Sequence, residues 1–228
     1  MLSSAHLSWG FDKMMNKIKA QGHIWNHKRV YRVYCEMRLN LRTKPKKRLP
    51  TREALSLVQP IHPNECWSID FMSDALSNGR RFRTLNVMDD YNREALLIKP
   101  SISLPASYVT RLLDQLAGIR GYPRRVRVDN GPEFISQTFK SWAAQHQIDT
   151  QYIQPGKPAQ NGFIERFNRT YREDVLGLYL FESLDEVTVI TKRWMDDYNN
   201  ARPHEAIGNL APRDFARDRE QDMTFAFT

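Results

Sequence analysis

Residues 66–72 read Cys66-Trp67-Ser68-Ile69-Asp70-Phe71-Met72. Large apolar side chains at 67, 69 and 71 alternate with Ser68, Asp70 and Met72, the two-residue period of a strand. Asp70 therefore lies mid-strand, on the face opposite Trp67 and Ile69. Ser77-Asn78-Gly79-Arg80 is a turn signal. Two further strand patterns follow, at Phe82–Asp89 and Glu94–Pro100, so the stretch reads as a three-stranded antiparallel meander. Downstream the pattern alternates between periods. Leu104–Ile119 is helical, closed by Gly121 and Pro123. Arg124–Asp129 is a short strand with Val126 and Val128 inward. Pro132–Gln147 reads as one helix with proline in its first turn. Asp149–Gln154 is a strand, and Asn161–Leu176 and Ser183–Asn199 are helices. The order βββ-α-β-α-β-α-α predicts an α/β domain, a mixed five-stranded sheet flanked by helices.

Upstream the character is different. Residues 1–58 hold 13 Lys+Arg against 3 Asp+Glu, a net of +10, whereas the other 170 residues hold 21 and 23, a net of −2. Positive charge confined to one quarter of the chain attracts polyanions, nucleic acid first among them. Trp9 to Leu39 reads as two helices joined at Gln21–Gly22, the second capped by Asn26. Val30, Val33, Tyr34 and Met37 mark one face of that helix; Lys28, Arg29 and Arg32 surround the rest. This is the outline of a basic helix-turn-helix, and equally of a plain helical hairpin. Leu41–Pro50 follows, with two prolines and five basic residues in ten, Lys44, Lys46, Lys47 and Arg48 among them. It reads as an extended cationic linker, able to follow a phosphate backbone.

Other classes are set aside on composition. Cys35 and Cys66 are too few and too far apart for a disulfide scaffold. His23 and His27 have ligand spacing, but no close cysteine pair completes a zinc site. No apolar run approaches a bilayer span, and no secretory leader is read at the start, so a cytoplasmic protein is expected.

Asp129 ends a strand at Asn130-Gly131-Pro132, a sharp turn into a helix, and ligands collect beyond strand ends at such crossings. Glu165 is one turn into a helix whose apolar face is Ile164, Phe167 and Tyr171. At about 100° per residue, Asn161, Asn168, Arg169 and Arg172 fall near Glu165. Asp70, Asp129 and Glu165 would suit phosphodiester chemistry, in which two Mg²⁺ ions stabilise the attacking and leaving oxygens and need little more than convergent carboxylates. Asp74, Asp89, Asp90 and Glu133 occupy comparable positions, so the residues alone leave the set open.

Longer motifs bear on that choice: Trp67-Ser-Ile-Asp-Phe71, Asp129-Asn-Gly-Pro-Glu-Phe134, Gln154-Pro-Gly-Lys-Pro-Ala-Gln-Asn-Gly-Phe-Ile-Glu-Arg-Phe-Asn168 and Tyr198-Asn-Asn-Ala-Arg-Pro-His204, with 35 residues between Asp129 and Glu165. From about Trp9 to Phe215 the chain resembles the catalytic protein of bacterial insertion-sequence transposases, of the second-reading-frame type. That class shares its RNase H-like core with retroviral integrases. The resemblance implies domains at 1–40 (helix-turn-helix-like), 41–60 (linker), 61–215 (catalytic core) and 216–228 (tail). It implies Asp70, Asp129 and Glu165 as ligands of Mg²⁺ (two ions, with Mn²⁺ able to substitute), and cleavage at element ends followed by strand transfer. By motif position it places Lys157, Asn161, Asn168 and Arg172 near DNA, and the helical spacing adds Arg169 on the Glu165 face as a further phosphate grip. Double-stranded DNA, further copies of the chain, and an upstream-frame helix-turn-helix protein or fusion are the implied partners. The chain would act in the bacterial cytoplasm, at the nucleoid. Relatives commonly carry more sequence ahead of Trp9, which leaves open a fragment, a shorter frame product or a decayed copy. Two rivals remain: a truncated DNA-binding regulator or inhibitor, and a nuclease that cuts without joining.

Overall fold

The computed structural model describes residues 9–40, 59–154 and 158–225. Their contacts divide into two compact units, one within 54–199 and the other combining the N-terminal residues with those from Asn200 onward.

In the unit containing the N-terminal residues, α1 (Phe11–Ala20) and α2 (His27–Glu36) form the expected hairpin. The break is set by Gly22, whose φ of +83° suits a residue without Cβ. The restart is set by Asn26, whose side chain accepts from the Lys28 and Arg29 amides and so satisfies two donors of the first turn. Trp9, Met14 and Tyr34 are the buried centre, with Phe11 meeting His27, Tyr31 and Tyr34 edge-on. The predicted apolar face of α2 is only partly covered: Tyr34 is buried, while Val33 and Met37 are 41% and 50% exposed. They border an open groove with Trp25 and Ile18. In the same unit a 3₁₀ turn (Glu205–Ile207) precedes α8 (Pro212–Phe225), and the Asn16 side chain donates to Asn209 Oδ1 at 2.9 Å.

The other unit is built on one sheet in the order β3-β2-β1-β4-β5. β1 (Cys66–Ala75), β2 (Arg81–Asp89) and β3 (Ala95–Ser101) are the antiparallel meander; β4 (Arg125–Val128) and β5 (Asp149–Tyr152) run parallel to β1. Alternation sends side chains to two different cores. Trp67, Ile69, Leu85, Val87, Val126 and Val128 pack against α3 (Ala106–Arg120), α4 (Pro132–Ile135) and α5 (Gln137–Gln145). Met72, Phe82, Met88 and Ile98 take the opposite face, under α6 (Gly162–Tyr171) and α7 (Leu184–Ala201). This is the mixed five-stranded sheet flanked by helices that the sequence pattern predicts, and the RNase H-like arrangement that the resemblance implies.

Three local features differ from the periodic reading or lie beyond it. The helix expected over Pro132–Gln147 is split at Ser136, which stays extended while its hydroxyl accepts from the Phe139 amide and donates to the Glu133 carbonyl. The helix expected to reach Leu176 is α-helical only to Tyr171, then widens into a π turn over Arg172–Leu176. Asn199, from the Tyr198-Asn-Asn motif, acts as a strand partner: its Oδ1 accepts from Ala95 N and its Nδ2 donates to Ala95 O, both at 2.9 Å.

Candidate active site

Asp70 lies on the α6 side of β1. Its direct partner across β2 is Asn86, and the parallel register with β4 pairs Ser68 with Arg127. Asp129 directly follows the last residue of β4, and its charge acts on Asp70. The Asp70 carboxylate has a donor on each oxygen: Oδ1 accepts from the Phe71 amide at 2.8 Å, and Oδ2 from Asn168 Nδ2 at 2.7 Å. Burial pushes its pKa up to about 6, and the charges of Asp129 and Glu165 push in the same direction, against the lowering effect of both hydrogen bonds. Three carboxylates, from a strand, the turn after β4 and a helix, thus share one electrostatic neighbourhood. Among the described residues, no group of three or more His, Cys, Asp or Glu side chains is drawn close enough to grip an ion. They act on one another as charges, not as a closed cage.

The turn after β4 is built around the Asp129 carboxylate. Its Oδ1 accepts from the Gly131 amide at 2.8 Å, and a Cβ placed on Gly131 would lie 2.8 Å from that same oxygen. Position 131 is extended (φ −60°), so glycine is needed there for space and not for conformation. Glu133 Oε2 would lie 3.5 Å from that Cβ. Glu133 is held by an ion pair with Arg83, whose guanidinium stacks on Phe71, 4.1 Å from the ring centroid. This fourth carboxylate was one of the open alternatives in the sequence; its arginine was not found there.

Glu165 is exposed in the first turn of α6, while Ile164, Phe167 and Tyr171 are buried beneath it. Near the start of the helix, Arg93 lies 3.5 Å over the Phe163 ring. Arg93 also bonds the Asp90 carbonyl, and the Asp90 carboxylate accepts from Arg127 at 2.7 Å. Asp89 and Asp90, both candidates from sequence, are used in this way: Asp89 accepts from the amides of Asn64 and Tyr91, and Asp90 is paired with Arg127. Neither joins the Asp70 cluster.

The residues expected near DNA have different fates. Arg169 is exposed. Arg172 is half-exposed, donating to the Ser73 carbonyl at 3.0 Å and standing 3.7 Å from Asp74. Asn161 and Asn168 are buried instead, at 4% and 8% exposure. Lys28, Arg29 and Arg32 are exposed on α2, with Arg32 3.5 Å from Glu36. Lys44, Lys46, Lys47, Arg48 and Lys157 lie outside the described residues. Asn86, opposite Asp70, was missed. Its signal was a lone amide inside the apolar run Leu85-Asn86-Val87-Met88, since a buried polar side chain in a strand is the informative exception.

Among the described residues no helix is long and apolar enough to cross a membrane.

Two integrase core domain models match residues 60–158 and 146–212, and an HTH-like domain model matches residues 4–48. The chain is 42% identical over 208 residues to an uncharacterized 31.7 kDa protein of insertion element IS407 of Burkholderia multivorans, covering 91% of this chain and 75% of that one. It is 40% identical over 215 residues to an uncharacterized 39.2 kDa protein of insertion element IS476 of Xanthomonas euvesicatoria, covering 94% of this chain and 62% of that one. It therefore spans somewhat less than two thirds of the latter relative's length. Among solved structures, the simian T-cell lymphotropic virus intasome aligns with TM-score 0.57 at 16% identity, over 87% of this chain and 69% of that one. The HTLV-2 integrase catalytic core domain in complex with magnesium aligns with TM-score 0.51 at 17% identity, over 67% and 96%. With the integrase core and HTH-like matches and the insertion-element relatives in agreement, the chain belongs to the family of insertion-element proteins that carry an integrase core domain.

Proposed function

We propose that this chain cuts DNA at the ends of a mobile element and joins the freed 3′ ends to target DNA, with Asp70, Asp129 and Glu165 as ligands of divalent metal. The observation that carries the reading is the state of Asp70: half-buried, and raised to about 6 partly by the charges of Asp129 and Glu165. Like charges gathered with hard oxygen donors are relieved by a divalent cation, and Mg²⁺ suits carboxylates that leave room for water and phosphate. Two such ions, with Mn²⁺ able to substitute, would supply Lewis-acid stabilisation of the attacking and leaving oxygens of an in-line displacement.

The chain's own groups do the positioning. Gly131 lets the Asp129 carboxylate fold against the backbone of its own turn. Helix α6 carries Glu165 toward the strands, seated by Phe163 on Arg93 and by Ile164 and Phe167 in the core. Arg169 on the exposed side of α6, and Arg172 in the π turn that follows it, half-exposed beside Asp74, would hold phosphate. The exposed Lys28, Arg29 and Arg32 of α2 give the HTH-like segment a cationic face for duplex DNA. The cationic stretch through Lys44, Lys46, Lys47 and Arg48, and Lys157 ahead of α6, extend the proposed DNA contacts. Two element ends require at least two active sites, so further copies of the chain are the proposed partners. The chain's own HTH-like segment makes an upstream-frame partner unnecessary to this reading.

The test is a cleavage and strand-joining assay on a labelled duplex carrying the element's end, with Mg²⁺ or chelator, for the parent and Asp129→Asn. Joined product that needs metal and disappears in Asp129→Asn is the expected result. Joining that survives the substitution would remove Asp129 from the site. Nicks without joining would favour the nuclease, and binding without any product the regulator.

A further inference from the structure

We propose that Asn86 and Asn168 form a positioning relay for Asp70, so that Asn168 serves the metal-binding carboxylate and not DNA. Asn168 Nδ2 donates to Asp70 Oδ2 at 2.7 Å, and Asn168 Oδ1 accepts from Asn86 Nδ2 at 2.7 Å. An ionised carboxylate only accepts, so Asn168 must turn its NH₂ to Asp70. Its carbonyl oxygen then faces Asn86, which must donate. The polarity of both amides is thereby fixed by one carboxylate. Asn86 is also the direct cross-strand partner of Asp70. The three side chains tie β1, β2 and α6 together at a single point.

The arrangement has two consequences for the site. With Phe71 N on Oδ1 and Asn168 on Oδ2, the Asp70 carboxylate cannot rotate without losing a hydrogen bond. Asn168 is also one turn beyond Glu165 on α6, so the contact that orients Asp70 sets how closely Glu165 approaches β1. Asn86 is fully buried and Asn168 nearly so, in a place where an apolar pair of similar volume would pack without polar cost. A pair that served packing alone would have no need to address Asp70. Groups that orient metal ligands in this way typically change metal affinity 10–100-fold when removed.

The inference rests on Asp70 being a metal ligand, so the experiment separates the two. Mn²⁺ binding to the full chain is measured from the electron paramagnetic resonance signal of free Mn²⁺, without DNA, for the parent, Asp129→Asn, Asn86→Leu, Asn168→Leu and the double Leu variant, with thermal melts alongside. Asn168→Leu is expected to weaken binding about ten-fold or more, and Asn86→Leu to weaken it less. The double variant should bind no more weakly than Asn168→Leu alone, because Asn86 acts only through Asn168. Parent-like binding by both single variants, with Asp129→Asn impaired, overturns the relay, as do independent, multiplying effects. Parent-like binding by Asp129→Asn instead overturns the metal-centre reading. Should Asn168→Leu fail to fold, Asn168→Ser is read in its place; it keeps a polar group but cannot reach both partners, and parent-like affinity there also overturns the relay.

Discussion

Gly131→Ala separates the demands of the site from those of the fold. At φ −60° and ψ 149° the backbone of residue 131 is open to any amino acid, so alanine adds no backbone strain. Narrowing of the unfolded ensemble contributes about 0.4–1 kcal/mol of stability, which offsets the cost of moving the Asp129 carboxylate. The added methyl, however, would sit 2.8 Å from Asp129 Oδ1, where ordinary contact begins at 3.4 Å. The carboxylate must therefore retreat by about 0.6 Å or rotate off the Gly131 amide that now holds it at 2.8 Å. Misplacements near 1 Å cost about 100-fold in rate at a site that depends on placement, so a loss of about 10- to 100-fold in strand joining is expected. The assay pairs single-turnover joining on the labelled end duplex with urea unfolding of the same preparations. Reduced joining by a protein as stable as its parent, or more so, is the expected signature. Parental joining rates in Gly131→Ala would refute the claim that the turn is shaped around Asp129.

Other outcomes follow from the same geometry. Arg127→Met leaves the buried Asp90 carboxylate without its 2.7 Å partner; urea unfolding at pH 7 should show a loss of about 3–5 kcal/mol, smaller at lower pH, since burial raises the Asp90 pKa and favours its protonated form. Asp89 is raised by burial to about 6 against 3.8 for a free side chain. Between those values the folded chain holds a proton that the unfolded chain lacks, so this group's contribution is full below about pH 4 and is lost as pH rises through 6, about 3 kcal/mol in all. A carboxylate NMR titration of Asp89 with its midpoint near 4 would contradict this. Asn26→Ala removes the acceptor for two amides of α2 and should lower stability by about 1 kcal/mol in thermal unfolding. Lys28→Gln with Arg29→Gln should reduce the salt dependence of duplex binding by about two phosphate equivalents; an unchanged slope would take α2 out of the interface.

Most of the architecture was legible from local pattern. The alternation from Trp67 to Met72 gave β1 and put Asp70 on the face opposite Trp67, because a two-residue period permits nothing else. Asn26 and Gly22 gave the hairpin, because capping and positive φ are properties of single residues and their immediate neighbours. The errors were also local. Ser136 interrupts a helix through its own hydroxyl, and the π turn after Tyr171 leaves no mark in a hydrophobic period.

The division falls most clearly on α6. Sequence spacing put Asn168 about 60° from Glu165 and about 40° from Ile164, on the border between the open and the packed side. Helical geometry fixes those angles and is silent about which side a border residue serves. That choice depends on what faces it, and what faces it is Asn86, 82 positions earlier on a different strand. Asp129 shows the same division: the turn that holds it was readable from Asn130-Gly131-Pro132, but its nearness to Asp70 follows only from β4 pairing parallel with β1. The sequence by itself determined the elements, their order and the faces they bury, since these follow from contacts a few residues apart. Only the tertiary structure decided which amides serve the carboxylates, which acids are spent on Arg127 and backbone amides, and which arginines stay open, because each is settled by a partner distant along the chain.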